Sequence, residues 1–555
     1  MAGQFVKNGA TLSCPLCSSS GTLVVSHTQV QLQDTPCATN GDRSKSNLVF
    51  GGVCKKWRKS PPPCASVIAP TQWNEVATDV EIDGEFMLLE DSTITCSTGG
   101  VDIAIDDTVQ IDVPTDLPDT ENAVLKKFLV NIRRSDDYKG EYGFDWLRDE
   151  YIYPINAPFP VCLDVEALKL EYRTKDIVNP ITPYGEDYYP AWLSIFPSTT
   201  DEEFAQGSRM HKDGVNLDLE IEELEPLIND ATEIIFESNN EYLTITPNRM
   251  DLAGLIGGKE TKNLGSTIRE YHVAAKAINI KCEGGALSNH EEIKIFAQLE
   301  GEKEEVGKLM VYKNDVIPKA EVVVVNVITG SPAALSGDYQ YAFKYQSFNQ
   351  ALIRAEVKVD IRFDINSLPS NDFDVVQFKL NYINSSGNIG VHAGEAFLRD
   401  LQMLYEKYGS HSPRNNAAID SNLNNRTYLF YTSIIAQTNY ADGTYQRTEG
   451  IASADLSNFS NCSCVVWGNA YTMFGTALID NYVVVHEAGH SLSLPHSFDE
   501  GFPKPHVFHI GFTDNYMDYI QQADGTANPF TGKMTSFFKW QWDIMRADRS
   551  LIFNY

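Results

Sequence analysis

The chain has 555 residues, 43% of them apolar and 11% aromatic, which is enough to fill several hydrophobic cores and too much for one. Its 75 acidic residues against 44 basic ones leave a net charge of -31. A surface that negative repels phosphate backbones and anionic lipid, which argues against nucleic-acid and membrane-surface partners. No stretch approaches the ~20 apolar residues of a membrane helix, and Met1-Ala2-Gly3-Gln4-Phe5-Val6-Lys7 lacks the apolar core of a secretory signal, so export is expected to use another route.

The first segment, 1–110, is rich in short β-prone runs bounded by turn residues: Leu23–Val25, Val80–Ile82 and Val101–Ile105. Pro61-Pro62-Pro63 forbids a helix there. Of the ten cysteines, Cys14, Cys17, Cys37, Cys54, Cys64 and Cys96 fall in this segment. Such density without an export signal points to a metal site rather than disulfides, with buried thiols as the plainer alternative. An acidic, Pro-containing linker spans Asp106–Glu121. A helix is expected over Ala123–Ile132 and an aromatic-rich turn over Gly140–Trp146, so that 111–150 reads as linker and helix.

From 151 to 318, strand-like runs at Leu168–Tyr172, Thr232–Phe236, Tyr242–Ile245, Ile293–Phe296 and Lys308–Tyr312 predict a β-sandwich. Gly254-Leu255-Ile256-Gly257-Gly258-Lys259-Glu260 has Glu260 where a phosphate loop needs Ser or Thr, and reads as a turn. From 319 to 555, strand and helix alternate. The apolar run Val322–Val325 is a strand covered on both faces, and Tyr341, Tyr345, Phe348 and Leu352 fall at helical spacing. Val357, Val359, Ile361, Phe363 and Ile365 alternate as a half-buried strand. A helix carries Phe397, Leu401 and Leu404 to a stop near Gly409, and Tyr428–Ile435 is a further strand, giving a mixed α/β sheet.

The strongest chemical signal lies at Val483-Val484-Val485-His486-Glu487-Ala488-Gly489-His490-Ser491-Leu492-Ser493-Leu494-Pro495-His496. Residues four apart share a helix face, so His486 and His490 can point both imidazoles at one metal. Glu487 can hold a carboxylate against a metal-bound water. Pro495 stops the helix and lets the chain deliver His496 as a third ligand. Three protein ligands and one open position describe a catalytic zinc rather than a structural one. Cys462 and Cys464 read as strand thiols rather than as a switch masking the zinc, and His506 and His509 as solvated loop residues.

Shortly after comes Asp514-Asn515-Tyr516-Met517-Asp518-Tyr519. With the histidine motif, this resembles the metzincin zinc peptidases, most closely the pappalysin/cytophagalysin branch. The resemblance covers 319–555 and implies a metzincin-like α/β catalytic domain. It makes Met517 the floor of the site and Tyr519 a residue that ligates zinc or steadies the tetrahedral intermediate, with a core role as the alternative. Ser493 departs from the family, which has glycine where the backbone turns. The β-prone stretch Val465–Tyr471 is expected to be the edge strand that pairs with an extended substrate.

Gly9–Cys14, Phe50–Cys54, Pro63-Cys64 and Leu89–Cys96 with Gly99-Gly100 resemble the PAAR-like spike-tip proteins of contractile injection systems such as type VI secretion. Phe50 to Cys54 is one residue longer than the family spacing. The resemblance implies a small β-rich cone on a trimeric VgrG-type spike, with an effector domain behind it. A second, structural zinc on Cys14, Cys54, Cys64 and Cys96 would supply folding energy that a small cone lacks, with Cys14 and Cys17 as an alternative chelating pair.

The expected protein is therefore multidomain: a β-rich PAAR-like cone, a middle β-sandwich and a metzincin-like peptidase. It would be a secreted effector made in the bacterial cytoplasm, delivering a zinc endopeptidase to a target cell. An immunity protein or chaperone would be a further partner. A structural tip with an inactive or merely binding peptidase-like domain is the alternative, and an ordinary intracellular metalloprotease a third.

Overall fold

The computed structural model describes residues 4–27, 30–32, 35–78, 80–82, 84–110, 124–201, 209–265, 267–335, 337–383, 388–389, 394–412, 426–455, 466–500 and 504–555. The expected linker beyond residue 110 and both Cys462 and Cys464 lie outside these residues. The chain forms two compact units, Met1–Leu117 and Pro118–Tyr555, and is multidomain and rich in strands.

The first unit is built on a six-stranded antiparallel sheet in the order Leu48–Phe50, Gly21–Leu23, Thr11–Ser13, Val101–Asp107, Thr93–Cys96, Pro70–Asn74. Its core is small, with Leu12, Leu23, Leu48, Ile94 and Ile103 at the centre and Cys17, Cys64 and Cys96 among its members. A one-turn helix, Cys64–Val67, starts directly after the three prolines.

In the second unit, two sheets pack face to face around one core. One carries Phe128–Arg134, Val215–Glu223, Ile268–Cys282 and Leu243–Thr246. The other runs Gly143–Asp145, Ala191–Ser194, Glu302–Val311, Glu291–Leu299, Glu233–Ser238, Arg249–Asp251. The strands of these two sheets begin earlier than residue 151, where the middle β-domain was expected to start. The segment expected as a helix over 123–132 supplies the strand Phe128–Arg134, and the aromatic turn supplies Gly143–Asp145. Phe128–Ile132 is buried on both faces, and so short an apolar run carries no period to tell strand from helix. The reverse error occurs at Leu168–Tyr172, which belongs to the helix Val165–Thr174. Leu168 and Tyr172 are buried one helical turn apart, Leu170 between them is 60% exposed, and Asp164 caps the helix by accepting from the Ala167 amide. The glycine-rich stretch is a turn: Leu252–Gly254 is a single 3₁₀ turn and Lys259 pairs with Glu223 and Glu270.

The last sheet is six-stranded, ordered Arg354–Asp364, Lys319–Ile328, Thr427–Thr432, Val466–Met473, Gly450–Asp455, with Leu551–Ile552 added against Lys319 and Ala320. The first four strands are parallel and Gly450–Asp455 runs antiparallel at the outside. Lys319–Ile328 alternates between two cores, as a strand covered on both faces must. Val323, Val325 and Val327 meet Phe397, Leu401 and Leu404 of the helix Gly394–Tyr408. Val322 and Val324 belong to the core that holds Val484, Val485 and Ala488 of the helix Asn481–Ser491.

Three details differ from the sequence reading. Asp360, paired with Val325, is buried and accepts from Tyr405 and Ser410, Val359 and Ile361 are exposed, and a register shift between Val325 and Val327 places Phe363 on the buried face. The helix expected through Tyr341 and Tyr345 is broken into short turns whose buried face is Tyr339, Phe343 and Phe348. The stretch expected as the edge strand lies inside the sheet as Val466–Met473, and the edge is Gly450–Asp455.

Candidate metal centre

Asp480 accepts from the Tyr482 amide and starts the helix Asn481–Ser491, whose apolar residues bury it against the sheet. His486 and His490 therefore project from the same buried helix face, one turn apart. The helix ends in a Schellman turn, with the Ser493 amide bonded to the His490 carbonyl at 2.9 Å and the Leu494 amide to that of Gly489 at 3.0 Å. The turn brings His496 back so that its ring centroid lies 4.5 Å from that of His490 and 5.1 Å from that of His486. Among the described residues, these three histidines are the group of metal-ligating side chains whose donor atoms all lie within 4.8 Å of one another.

Each imidazole is oriented through its other nitrogen. Nδ1 of His486 lies 2.7 Å from the Tyr516 carbonyl, Nδ1 of His490 lies 2.7 Å from the Leu494 carbonyl, and Nδ1 of His496 lies 2.8 Å from an Asp499 carboxylate oxygen. An oxygen acceptor at Nδ1 assigns the proton there and leaves three Nε2 lone pairs converging. Nε2 of His490 and His496 are 3.1 Å apart. Two unprotonated nitrogens at that distance repel each other, whereas a tetrahedral cation bonded at about 2.0–2.1 Å holds its ligands roughly 3.4 Å apart. The donor set thus fits zinc. Burial pushes the His486 imidazole down to about 3 and that of His490 well below its ordinary value, so both rings stay neutral as a ligand must be.

Glu487, 7% exposed, is pushed up to about 8 by burial. The outer strand passes close to it: a methyl group added at Gly450 would come within 2.5 Å of the Glu487 Cγ. Tyr519 is 42% exposed with its ring centroid 5.0 Å from that of His496, so it borders the site and is not core.

Met517 is fully buried beneath the helix, and a Cβ at Gly489 would lie 2.4 Å from its sulfur. Its loop is held from three sides. Asn515 accepts from the Met517 amide. Asp518 accepts from the amides of Gly511, Phe512, Thr513 and Tyr519 and from the Thr513 hydroxyl. Asp514 accepts from Arg134 at 2.8 Å, Arg148 at 3.0 Å and Tyr151 at 2.8 Å, all from the segment 128–152. The two arginines hold the Asp514 carboxyl at about 2 although it is wholly buried. Arg148 also binds Asp145 at 2.6 Å, and Asp145 accepts from the Tyr172 hydroxyl and the Lys539 amide. Sequence reasoning missed Asp499, Asp514 and these arginines; the only local signal was Asp499, three residues past the third histidine.

His506 is buried, not solvated, and neither ring nitrogen has a hydrogen-bond partner among the described residues. His509 lies 4.4 Å from the Phe159 ring, centroid to centroid. In the first unit, Cys54, Cys64 and Cys96 are buried and Cys14 is half-buried. Cys64 contacts Cys17, and burial together with that neighbour pushes its thiol up to about 12. Cys14 and Cys54 also act on Cys64, yet no three of these sulfurs draw together within 4.8 Å.

Residues 6–110 match DUF4280, a domain of unknown function. The DUF4280 domain thus coincides with the first compact unit and contains all six early cysteines. No curated protein matches the chain.

Proposed function

We propose that this chain is a zinc-dependent endopeptidase carried behind a spike-tip module of a contractile injection system. The peptidase reading rests on the convergence of three oriented Nε2 lone pairs at the end of a buried helix, beside a buried carboxyl group. Zinc bound there would polarise a peptide carbonyl and lower the pKa of water towards ~7. His486, His490 and His496 would hold the ion and leave a fourth position open. A cation held at the histidines would bring the Glu487 carboxyl back down to its ionised form, in which it would take a proton from the attacking water and pass it to the leaving amine. Tyr519, at the border of the site, is suited to donate a hydrogen bond to the oxygen that gains charge. An extended substrate would pair with Gly450–Asp455, whose outer side has no strand partner among the described residues. The metzincin resemblance of the histidine motif and Met517 supports the same reading.

The delivery half rests on the PAAR-like resemblance of residues within the DUF4280 match and on the small β-rich unit they form. In this reading a trimeric VgrG-type spike binds the module, a second zinc sits among its thiols, and the producer needs an immunity protein or chaperone.

The first test is the zinc content of the full chain by elemental mass spectrometry. Two equivalents are expected, one lost in His490→Ala and the other in Cys64→Ser. Cleavage of a peptide library by the wild type but not by Glu487→Ala would support the activity. Zinc without cleavage would favour the inactive-tip alternative, and failure to co-purify with a trimeric spike protein would overturn the delivery half.

A further inference from the structure

Where a left-handed turn hands the chain to the third histidine, this protein has a serine. Ser493 has φ 69°, a conformation in which side chains other than glycine are strained and which persists when the surroundings hold it. Two ligands depend on this residue. The Leu494 carbonyl that orients His490 is the next one in the turn, and Pro495 then leads directly into His496.

The support comes from the far end of the chain. The Ser493 hydroxyl donates to Oδ2 of Asp548, which is 5% exposed, and the other oxygen of that carboxylate accepts from the Ser550 amide at 2.8 Å and from its hydroxyl. Asp548 follows the helix Lys539–Arg546 and precedes Leu551–Ile552, which pairs with Lys319 and Ala320. The turn is thereby tied to the strand Lys319–Ile328 through Leu551–Ile552.

We propose that Ser493 and Asp548 are a positioning pair for the metal site, the hydroxyl–carboxylate bond holding a left-handed turn that glycine would adopt unaided. The inference deepens the zinc reading and rests on it. It makes a suppressor prediction. Ser493→Ala puts a residue that equally disfavours the left-handed conformation there without its anchor, and Asp548→Ala removes the anchor, so either lets the turn relax and displaces His496. Ser493→Gly in the Asp548→Ala background restores the turn, because glycine populates it freely.

The test uses the full chain with Co²⁺ as probe. Visible absorption is read as the difference from His490→Ala, which removes any contribution of the N-terminal thiols, and zinc affinity is read by chelator competition. Ser493→Ala and Asp548→Ala are each expected to weaken binding at the histidines by about tenfold and to reduce the cobalt bands. Ser493→Gly/Asp548→Ala should regain most of both. Thermal unfolding of the metal-free proteins identifies any variant that fails to fold; if Asp548→Ala does, Asp548→Asn with and without Ser493→Gly makes the same comparison. Wild-type bands unchanged in Ser493→Ala, or a double variant no better than its parent, would overturn the pairing. Absence of any His490-dependent band in the wild type would instead overturn the zinc reading beneath it.

Discussion

The three histidines and the N-terminal cysteines both look like metal ligands in the sequence, yet the structure treats them differently. The histidine donors lie within 4.8 Å of one another, and no three cysteine sulfurs do among the described residues. An imidazole has two nitrogens, so a carbonyl or carboxylate on one can aim the other before any metal arrives. A thiol has one weakly hydrogen-bonding atom and no such handle. A histidine site can therefore be pre-built by the fold, whereas a thiol site must be closed by the ion itself.

The sharpest way to test the histidine side is to separate chemistry from metal. Glu487→Gln is expected to lower peptide cleavage by about 10²–10⁴-fold with zinc content unchanged, measured on the same preparation. Next, Arg148→Met leaves Asp514 short of a partner in a buried site, which should cost about 3–5 kcal/mol. Hydrogen exchange should rise around the helix Asn481–Ser491 and stay unchanged in the DUF4280 unit, since the two are separate compact units. Equal loosening in both would break the comparison.

The same carboxylate sets an acid limit. Asp514 titrates at about 2 in the folded protein, below its ordinary value of 3.8. Its stabilisation is therefore fully present above about pH 4 and lost as the pH falls through 2, amounting to about 2 kcal/mol. Chemical denaturation between pH 5 and 2 checks this, and Asp514→Asn should flatten the profile. Last, Asp499→Ala should weaken zinc binding by about 10–100-fold, read by chelator competition, with little change in metal-free stability. An unchanged affinity would mean that the turn alone places His496.

The histidine cluster was legible because its pattern is local: two histidines one turn apart, a proline stop and a third histidine soon after. Tyr519 and Met517 were legible through resemblance, and each lies at the site. What escaped was either too short or too distant. Leu168 and Tyr172 suit a strand and a helix equally, and only the exposure of Leu170 separates the two. The edge strand Gly450–Asp455 was hidden because strand order is set by long-range pairing, not by the run of apolar residues. Asp514 and Arg148 are 366 residues apart, a pairing that no window of sequence reveals.

The Asp514 network also bears on how such a chain can be reassembled by recombination. A joint at residue 318 would give a new partner a sheet whose methionine loop lacks Arg134, Arg148 and Tyr151, leaving a buried anion stripped of its cations. A joint between the two compact units, near 117, cuts none of those bonds. Chains rebuilt by recombination should therefore inherit residues 128–152 and the histidine sheet together, as one heritable block.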